Sequence, residues 1–302
     1  MAESARPSVP PVVGIVIGIA AVSSASIFIR FAQREAPSLV IAAARLTLSS
    51  LILAPLAWTR YRHEYRRLTR RDAWLAVLSG IFLALHFATW ISSLEYTTVA
   101  SSTVLVSTSP LFVAIASWLF LREKIGPAVI IGLGVALAGS AVIGLSDRSG
   151  ATRNALLGDL LAFAGAITVA GYLLIGRRLR AKLSLVPYIA AVYGTAAVVL
   201  LAMVLMTRER VVGYSPTIYL WFLLLALVPQ LLGHSSFNWA LAHLPATFVA
   251  VATLGEPIGS TILAYIILGE APTPIKIVGA ALILAGIVVA SQRTTSEETK
   301  NE

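Results

Sequence analysis

The sequence predicts an all-α membrane protein in which ten transmembrane helices form two inverted five-helix repeats. The chain is 58% hydrophobic and 12% charged, with a mean hydropathy of +0.85, whereas soluble domains are about half apolar and a quarter charged. Its 302 residues accommodate about ten spans of roughly 20 residues and no sizeable aqueous domain. The apolar runs are continuous and rich in Ala and Leu, which indicates helices, because barrel strands alternate over about ten residues.

Polar and proline-containing breaks between the apolar runs define the helices in chain order. The first repeat, residues 12–146, is predicted to hold helices at 12–32, 37–59, 73–94, 98–121 and 127–146. The second repeat, residues 155–291, is predicted to hold helices at 155–175, 185–206, 216–242, 245–268 and 273–291. Residues 1–11 and 292–302 form tails. The first run lacks a small-residue cleavage site, so we expect it to remain as a helix rather than act as a removed signal peptide.

An internal repeat relates the two halves. A shift of 147 positions lays residues 94–143 over residues 241–290 without gaps. The shift aligns the pairs Pro110/Pro257, Glu123/Glu270, Pro127/Pro274, Gly132/Gly279 and Gly139/Gly286. Because each half contains an odd number of helices, the second half must cross the membrane in the opposite direction, as in many secondary transporters.

The distribution of Lys and Arg predicts the orientation. With the N-terminus in the cytoplasm, 15 of the 23 basic residues lie in cytoplasmic segments and 7 lie outside, which agrees with the positive-inside rule. We therefore expect a multi-pass protein of the plasma or inner membrane with both termini cytoplasmic. The arginines of Arg60–Asp72 fit this topology signal, and contact with anionic membrane lipids is an alternative reading of the same cluster.

Two charged residues fall inside predicted spans. Glu256 lies near the middle of the apolar stretch from Pro245 to Leu268, and an ionisable group at that depth usually faces a bundle interior or an aqueous path. Arg45 lies about eight residues into its helix, so it either enters the interior as a carboxylate anchor or extends towards the interface. Glu256 and Arg45 are therefore candidate substrate-binding residues.

Uncharged polar residues add further candidates. Gln230, His234 and Asn238 recur every four residues and predict one stripe along a helix face. His86 and Trp90 have the same spacing in the other half, so the two faces are expected to meet centrally. Hydrogen bonds that hold helices together are the alternative explanation for the stripe.

Prolines and glycines predict local geometry. Pro110 and Pro257 each remove a backbone donor within a predicted helix, so they are candidate hinges for alternating access, with static kinks as the alternative. Ser107, one turn before Pro110, can offer its hydroxyl to the freed backbone or to a substrate. The glycine pairs of the fifth and tenth helices predict close helix packing, and this face also permits a homodimer.

Several function classes are excluded or disfavoured. The chain has no cysteine, which excludes disulfides and thiolate chemistry. Its basic residues interrupt apolar runs rather than forming a soluble basic face, so no nucleic-acid partner is expected. It lacks a phosphate-binding loop for ATP and the HExxH and GxSxG motifs. We therefore expect no enzyme activity, no cofactor and no metal, and an intramembrane lipid-acting enzyme is a poor alternative.

Two stretches carry a resemblance to a known family: HFATWISSLEYTTVASSTVLVSTSPLFVAIASWLFLREKIG at 86–126 and LGEPIGSTILAYIILGEAPTPIKIVGAALILAGIVVA at 254–290. The chain resembles the EamA family of the drug/metabolite transporter superfamily over residues 12–291. The resemblance implies export of amino acids or other small metabolites through a central cavity. It also implies the cavity residues Ser24, His86, Trp90, Ser107, Tyr172, His234, Asn238 and Glu256.

The expected function is thus secondary transport of a small-molecule metabolite by alternating access around this cavity. Proton coupling through Glu256 or His86 is a further hypothesis. A multidrug or organic-cation exporter of the same architecture is the alternative, in which Trp90, Phe82 and Tyr172 hold aromatic or cationic compounds.

Overall fold

The computed structural model describes residues 10–97, 102, 105–122, 125–145, 154–268 and 274–291, and all regular structure in these residues is helical. Its α-helices are α1 Pro11–Val22, α2 Ala25–Ala32, α3 Ser38–Arg66, α4 Arg70–Tyr96, α5 Ser109–Ala116, α6 Pro127–Leu145, α7 Ala155–Arg180, α8 Leu185–Thr207, α9 Pro216–Leu225, α10 Ser235–Ala240, α11 Ala246–Ala252, α12 Glu256–Leu268 and α13 Pro274–Ser291. Two π-helical segments, Ser117–Leu121 and Ala226–His234, and a 3₁₀ turn, Thr253–Gly255, join some of them. The predicted all-α class is confirmed for these residues.

Seven helical runs in the described part of the chain are long and apolar enough to cross a bilayer. They are Pro11–Ala32, Ser38–Arg66, Arg70–Tyr96, Leu156–Arg180, Leu185–Thr207, Pro216–Ala240 and Ala246–Ile267. Three shorter apolar helices, Ser109–Leu121, Pro127–Gly139 and Ile277–Ala290, accompany them. Together these runs make the chain a multi-pass membrane protein.

Two helices continue beyond their predicted apolar limits. The helix predicted at 37–59 extends to Arg66, where Glu64 accepts hydrogen bonds from the backbone N–H and hydroxyl of Ser184. The helix predicted at 155–175 extends to Arg180, whose Nε donates to the Asn238 carbonyl at 2.9 Å. Apolar sequence marks the part of a helix that lipid can cover, whereas these polar ends are held by contacts with other helices.

The first predicted helix, 12–32, is divided at Ser23 and Ser24. The two hydroxyls donate to the carbonyls of Ile19 and Ala21, each at 2.7 Å. Serine hydroxyls that bond to the preceding turn compete with the helical backbone pattern and bend or interrupt the helix. The predicted span is present as Pro11–Ala32, and the interruption within it was not predicted from the sequence.

The helix predicted at 216–242 also changes form within the membrane. Its central part, Ala226–His234, is a π-helix that contains Pro229. Proline has no N–H to donate within a helix, and wider π turns are common where a helix must accommodate such an interruption or serve a site. The wider turn rotates the residues that follow it, so the predicted single stripe does not apply unchanged.

The prolines proposed as hinges lie where helices begin. Pro110 is the second residue of α5 and Pro257 is the second residue of α12. Both helices therefore start one residue before a proline, where its missing N–H disrupts no internal bond. Much of the helix predicted at 98–121 that precedes Pro110, and the turn residues Glu123 and Glu270, lie outside the described residues.

The glycines of α6 and α13 pack these two helices against each other. A Cβ added at Gly132 would lie 2.5 Å from the carbonyl oxygen of Gly286, and one added at Gly139 would lie 2.5 Å from that of Gly279. Residue numbers rise along one helix as they fall along the other, so the helices are antiparallel. The predicted close packing occurs within the chain, and this glycine face is consequently not free to form a homodimer.

Two further helix pairs run antiparallel. Along α7, Gly158 lies against Thr97 and Gly171 lies against Phe82 of the adjacent α4 region. Along α1, Gly14 lies against Trp239 and Gly18 lies against Phe237 of α10. Glycines at these positions allow close backbone approach, which is how helices pack in membranes without a hydrophobic driving force. These pairs surround a centre that contains buried polar residues.

Candidate functional site

Arg45 is the most deeply buried charged residue in the described part of the chain. It lies in α3 with no exposed side-chain surface, so it enters the interior rather than extending towards the interface. Its Nε donates to Oε1 of Gln230 at 2.7 Å, and its guanidinium carbon lies 4.2 Å from the centroid of the Phe87 ring. The π-helical segment thus binds one edge of the guanidinium, and α4 covers its face.

The two terminal nitrogens of Arg45, Nη1 and Nη2, are buried and have no hydrogen-bond partner among the described residues. A buried polar group without a partner costs about 1–3 kcal/mol, and more when it is charged. Native interiors satisfy most such groups, so exceptions call for an explanation. In the same region Trp90 Nε1 and Asn238 Oδ1 are buried and find no hydrogen-bond partner in the part of the chain that the structure describes.

Glu256 is the first residue of α12 and is half-buried. Tyr265, which is 54% exposed, lies nine residues further on and hence on the opposite face, at about 100° per residue. Glu256 therefore points away from the face that meets lipid. It lies close enough to Arg45 for the two charges to attract each other.

The α1–α2 break packs against the start of α12. The Ser23 hydroxyl donates to the backbone carbonyl of Glu256 at 3.3 Å, and the Ser260 hydroxyl donates to the backbone carbonyl of Ser23 at 3.0 Å. A Cβ on Gly259 would lie only 2.1 Å from the Ser23 hydroxyl. The interrupted first helix is thereby joined to the carboxylate-bearing helix.

An aromatic wall lies beside Arg45. The His86 and Trp90 rings stack with centroids 5.9 Å apart and planes at 8°; residues four apart lie on one face of a helix. Phe87 contacts both histidines, with ring centroids 5.0 Å from His86 and 5.2 Å from His234. His86 Nδ1 lies 3.0 Å from the Gly165 carbonyl, so Nδ1 must carry the proton for this hydrogen bond. Both predicted histidines thus contact Phe87.

A second polar cluster forms around Asn238. Its Nδ2 donates to the Tyr172 hydroxyl at 2.5 Å and to the Tyr193 hydroxyl at 3.3 Å. The Tyr193 hydroxyl also lies 3.3 Å from the Ser235 hydroxyl. Asn238 and Tyr172 are therefore brought together by hydrogen bonds that link three helices.

The remaining predicted residues lie at helix breaks. Ser24 is 8% exposed and its hydroxyl is bonded within its own turn. Ser107 is 7% exposed and precedes α5. Pro110 is buried one turn later. These residues lie at the interruptions of their helices.

Two residues next to the predicted site, Phe87 and Tyr193, were not among its candidates. Phe87 follows His86 in sequence, and Gln230 was recognised only as part of the stripe. Tyr193 lies within an apolar helix where its spacing gives no signal. Buried tyrosine hydroxyls in a membrane helix are the one sequence feature that could have pointed to it, because each needs a partner.

The two ends of the molecule contain polar contacts between helices. At one end Lys182 forms an ion pair with Asp72, with Nζ 2.9 Å from Oδ1. At the other end Glu35 accepts hydrogen bonds from the backbone N–H and hydroxyl of Ser215. The Ser215 donors lower the pKa of Glu35, and the nearby charge of Arg210 adds to this effect. These contacts connect the first half of the sequence to the second.

Comparison with protein families gives two matches within the chain. The EamA-like transporter family matches residues 10–145 and again residues 156–292. The resemblance stated from the sequence is therefore confirmed.

Curated relatives of similar length are transporters by name. The uncharacterized transporter YetK of Bacillus subtilis is 25% identical over 284 residues, covering 92% of this chain and 85% of the relative. The pseudopaline exporter CntI of Pseudomonas aeruginosa is 28% identical over 261 residues, covering 86% and 89%. A probable terminal-alkyne amino-acid exporter of Streptantibioticus cattleyicolor is 26% identical over 256 residues, covering 83% and 82%.

A solved crystal structure shares the fold. It superimposes with a TM-score of 0.75 at 21% sequence identity, and the match covers 93% of this chain and 96% of the other. At this level of identity the likeness concerns the fold alone.

Proposed function

We propose, since the chain belongs to the EamA-like transporter family, that this membrane transporter exports a small polar metabolite, such as an amino acid, by alternating access. The observation that carries the proposal is the buried polar centre, in which two nitrogens of Arg45 have no partner among the described residues and Glu256 faces away from lipid. Charged groups at membrane depth are expensive and mark substrate or ion pathways. Ser24, His86, Trp90, Ser107, Tyr172, His234 and Asn238 complete the proposed substrate-binding region.

The architecture we propose is ten transmembrane helices in two inverted repeats. The glycine contacts support this architecture, because Gly132 contacts Gly286 and Gly139 contacts Gly279. The repeat aligns Gly132 with Gly279 and Gly139 with Gly286, so each contact is the repeat-related copy of the other. A twofold axis that crosses the antiparallel helix pair relates these contacts. Gly14 and Gly158, which a shift of 144 aligns, each pack against the third helix of the opposite half, as that axis requires.

Alternating access would use the helix breaks at corresponding positions of the two halves. The helices α5 and α12 begin at Ser109 and Glu256, which differ by the repeat shift of 147. Pro110 and Pro257 follow directly and serve as the proposed hinges. Interrupted helices around a midplane site are typical of inverted-repeat carriers.

Two relatives are named as exporters, one of an amino acid and one of pseudopaline, and this supports outward transport of a small metabolite. A direct test reconstitutes the purified chain in proteoliposomes and measures uptake of the twenty radiolabelled amino acids, guided by metabolite profiling of overexpressing cells. Wild-type vesicles are expected to accumulate at least one solute above protein-free vesicles. Absence of any carrier-dependent flux would remove the proposal.

Proton coupling through Glu256 or His86 is tested in the same vesicles. With coupling, an imposed pH gradient drives uptake against a concentration gradient, and Glu256→Gln or His86→Gln abolishes that drive. Equal uptake with and without the gradient would exclude coupling.

We also propose that both termini lie in the cytoplasm of a plasma or inner membrane, as the excess of Lys and Arg supports. Because the chain contains no cysteine, a single introduced cysteine can be labelled to show on which side of the membrane it lies, with no background from native cysteines. In intact cells, Arg208→Cys should react with a membrane-impermeant maleimide and Arg62→Cys should not; both arginines are exposed. The opposite pattern would invert the proposed orientation.

A further inference from the structure

We propose that Arg45 and Glu256 form a zwitterion-binding site in which Nη1 and Nη2 of Arg45 hold the substrate carboxylate and Glu256 holds its ammonium group. The proposal rests on the proposed transport function and narrows it to one substrate class. It assigns α-amino acids and related amino carboxylates, and it disfavours organic cations and simple anions.

The geometry of the guanidinium supports this assignment. Its Nε is occupied by Gln230 at 2.7 Å, and its face is covered by Phe87 at 4.2 Å. What remains is the end formed by Nη1 and Nη2, whose two parallel N–H groups match the two oxygens of a carboxylate. Contacts within the chain thus orient the guanidinium and leave its bidentate end unpartnered.

Arg180 provides an internal comparison. It is also buried, at 8% exposure, but its Nε donates to the Asn238 carbonyl and its Nη1 donates to the Leu183 carbonyl. An arginine that fixes the ends of helices is therefore satisfied by backbone carbonyls in this protein. Arg45 is not, and a purely structural role gives no reason to leave a buried charge in that condition.

Glu256 supplies the second charge. It is half-buried, faces away from lipid and attracts Arg45 across the site, yet it accepts no hydrogen bond from Nη1 or Nη2. A zwitterion placed between the two would pair with both charges at once. An organic cation would be repelled by the uncompensated positive charge of Arg45, and an anion would be repelled by the negative charge of Glu256. Such repulsion between like charges provides specificity.

The test measures binding rather than transport, so it stands apart from the flux experiment. The purified chain in lipid nanodiscs is titrated with the twenty L-amino acids, and the tightest ligand is compared with its amide and its N-acetyl derivative. Each derivative removes one charge, so each is expected to bind at least about tenfold more weakly, the loss of one charge-assisted hydrogen bond. Arg45→Lys should weaken binding of the parent amino acid to a similar extent, because the point charge of an ammonium group replaces the bidentate guanidinium.

Arg45→Met distinguishes binding from a structural role. It should abolish amino-acid binding, whereas the unliganded variant should still melt cooperatively, because Met has a similar length and removes the charge together with its two unpartnered nitrogens, at the cost of the bond to Gln230. Arg62→Met, on the exposed end of the same helix, should bind as wild type does.

Three results would overturn the site. They are equal affinity for the amino acid and its amide, retained affinity in Arg45→Met, and no binding of any amino acid by a chain that transports another solute. The first two leave the transport proposal intact. If vesicles show no flux but binding follows the expected pattern, the proposed function fails and the zwitterion site stands.

Discussion

Gly132 and Gly286 approach so closely that a Cβ on either would lie 2.5 Å from the backbone carbonyl oxygen of the other. Distances under 3.0 Å to backbone atoms cannot be relieved by a side-chain rotation. The contact therefore depends on both residues being glycine, and it determines the spacing of α6 and α13.

Replacing a glycine at this contact should destabilise the protein. Gly132→Ala forces the two helices apart, and overpacking of this kind costs about 1–3 kcal/mol. Gly134→Ala is the matched control, two residues away in the same helix with nothing within 4 Å of its added Cβ. In a thermal melt in detergent, only Gly132→Ala should lower the melting temperature. Equal behaviour of the two variants would argue against the packing.

Gln230 is expected to stabilise the folded chain through Arg45. Removing its amide in Gln230→Ala leaves the buried guanidinium with no described hydrogen bond and should cost about 1.5–3 kcal/mol, the usual contribution of a bond to a charged group. The loss should disappear when Arg45→Met is already present, because the two residues then no longer interact. The melting temperatures of the two single variants and the double variant give this coupling; additive effects would refute it.

Tyr172 should contribute through Asn238. Tyr172→Phe removes the 2.5 Å bond to Asn238 Nδ2 and leaves only the 3.3 Å contact with Tyr193, so we expect a loss of about 0.5–1.5 kcal/mol and weaker transport. Tyr265→Phe removes a hydroxyl from a lipid-facing residue that is 54% exposed and should leave both unchanged. Melting temperature and vesicle flux are the measurements, and indistinguishable variants would contradict the role given to Tyr172.

Glu35 should make stability depend on pH in the acid range. Because the Ser215 donors lower the pKa of Glu35 below its ordinary 4.5, the carboxylate stabilises the fold above pH 4.5, and this contribution is lost as pH falls towards the lower folded-state pKa. The melting temperature of wild type should therefore exceed that of Glu35→Gln at pH 7. The difference should shrink below pH 4.5, and a difference that grew on acidification would reverse the sign.

Much of the architecture could be predicted from the order of amino acids. Hydrophobicity adds up along a run of residues independently of neighbours in space, so the long apolar helices could be located from their composition. The glycines that recur in the two repeats, such as Gly132 and Gly279, predicted close helix packing, because only small residues allow two backbones to approach closely. Glu256 could be recognised because a carboxylate within an apolar span needs a polar environment wherever the helix lies.

Other features required the packed chain. The direction of Arg45 depends on how α3 is rotated against its neighbours, and the same residue eight positions into a helix could otherwise have reached the interface. The break at Ser23 and the π-helix around Pro229 arise where local hydrogen bonding competes with helical geometry. The break at Ser23 contacts α12, and the π-helix contacts α3. Phe87 and Tyr193 join the site because helices distant in sequence bring them there. Burial in a bilayer can be inferred from composition, whereas the partner of each buried polar atom is set by the relative rotation and distance of helices, which no single segment encodes.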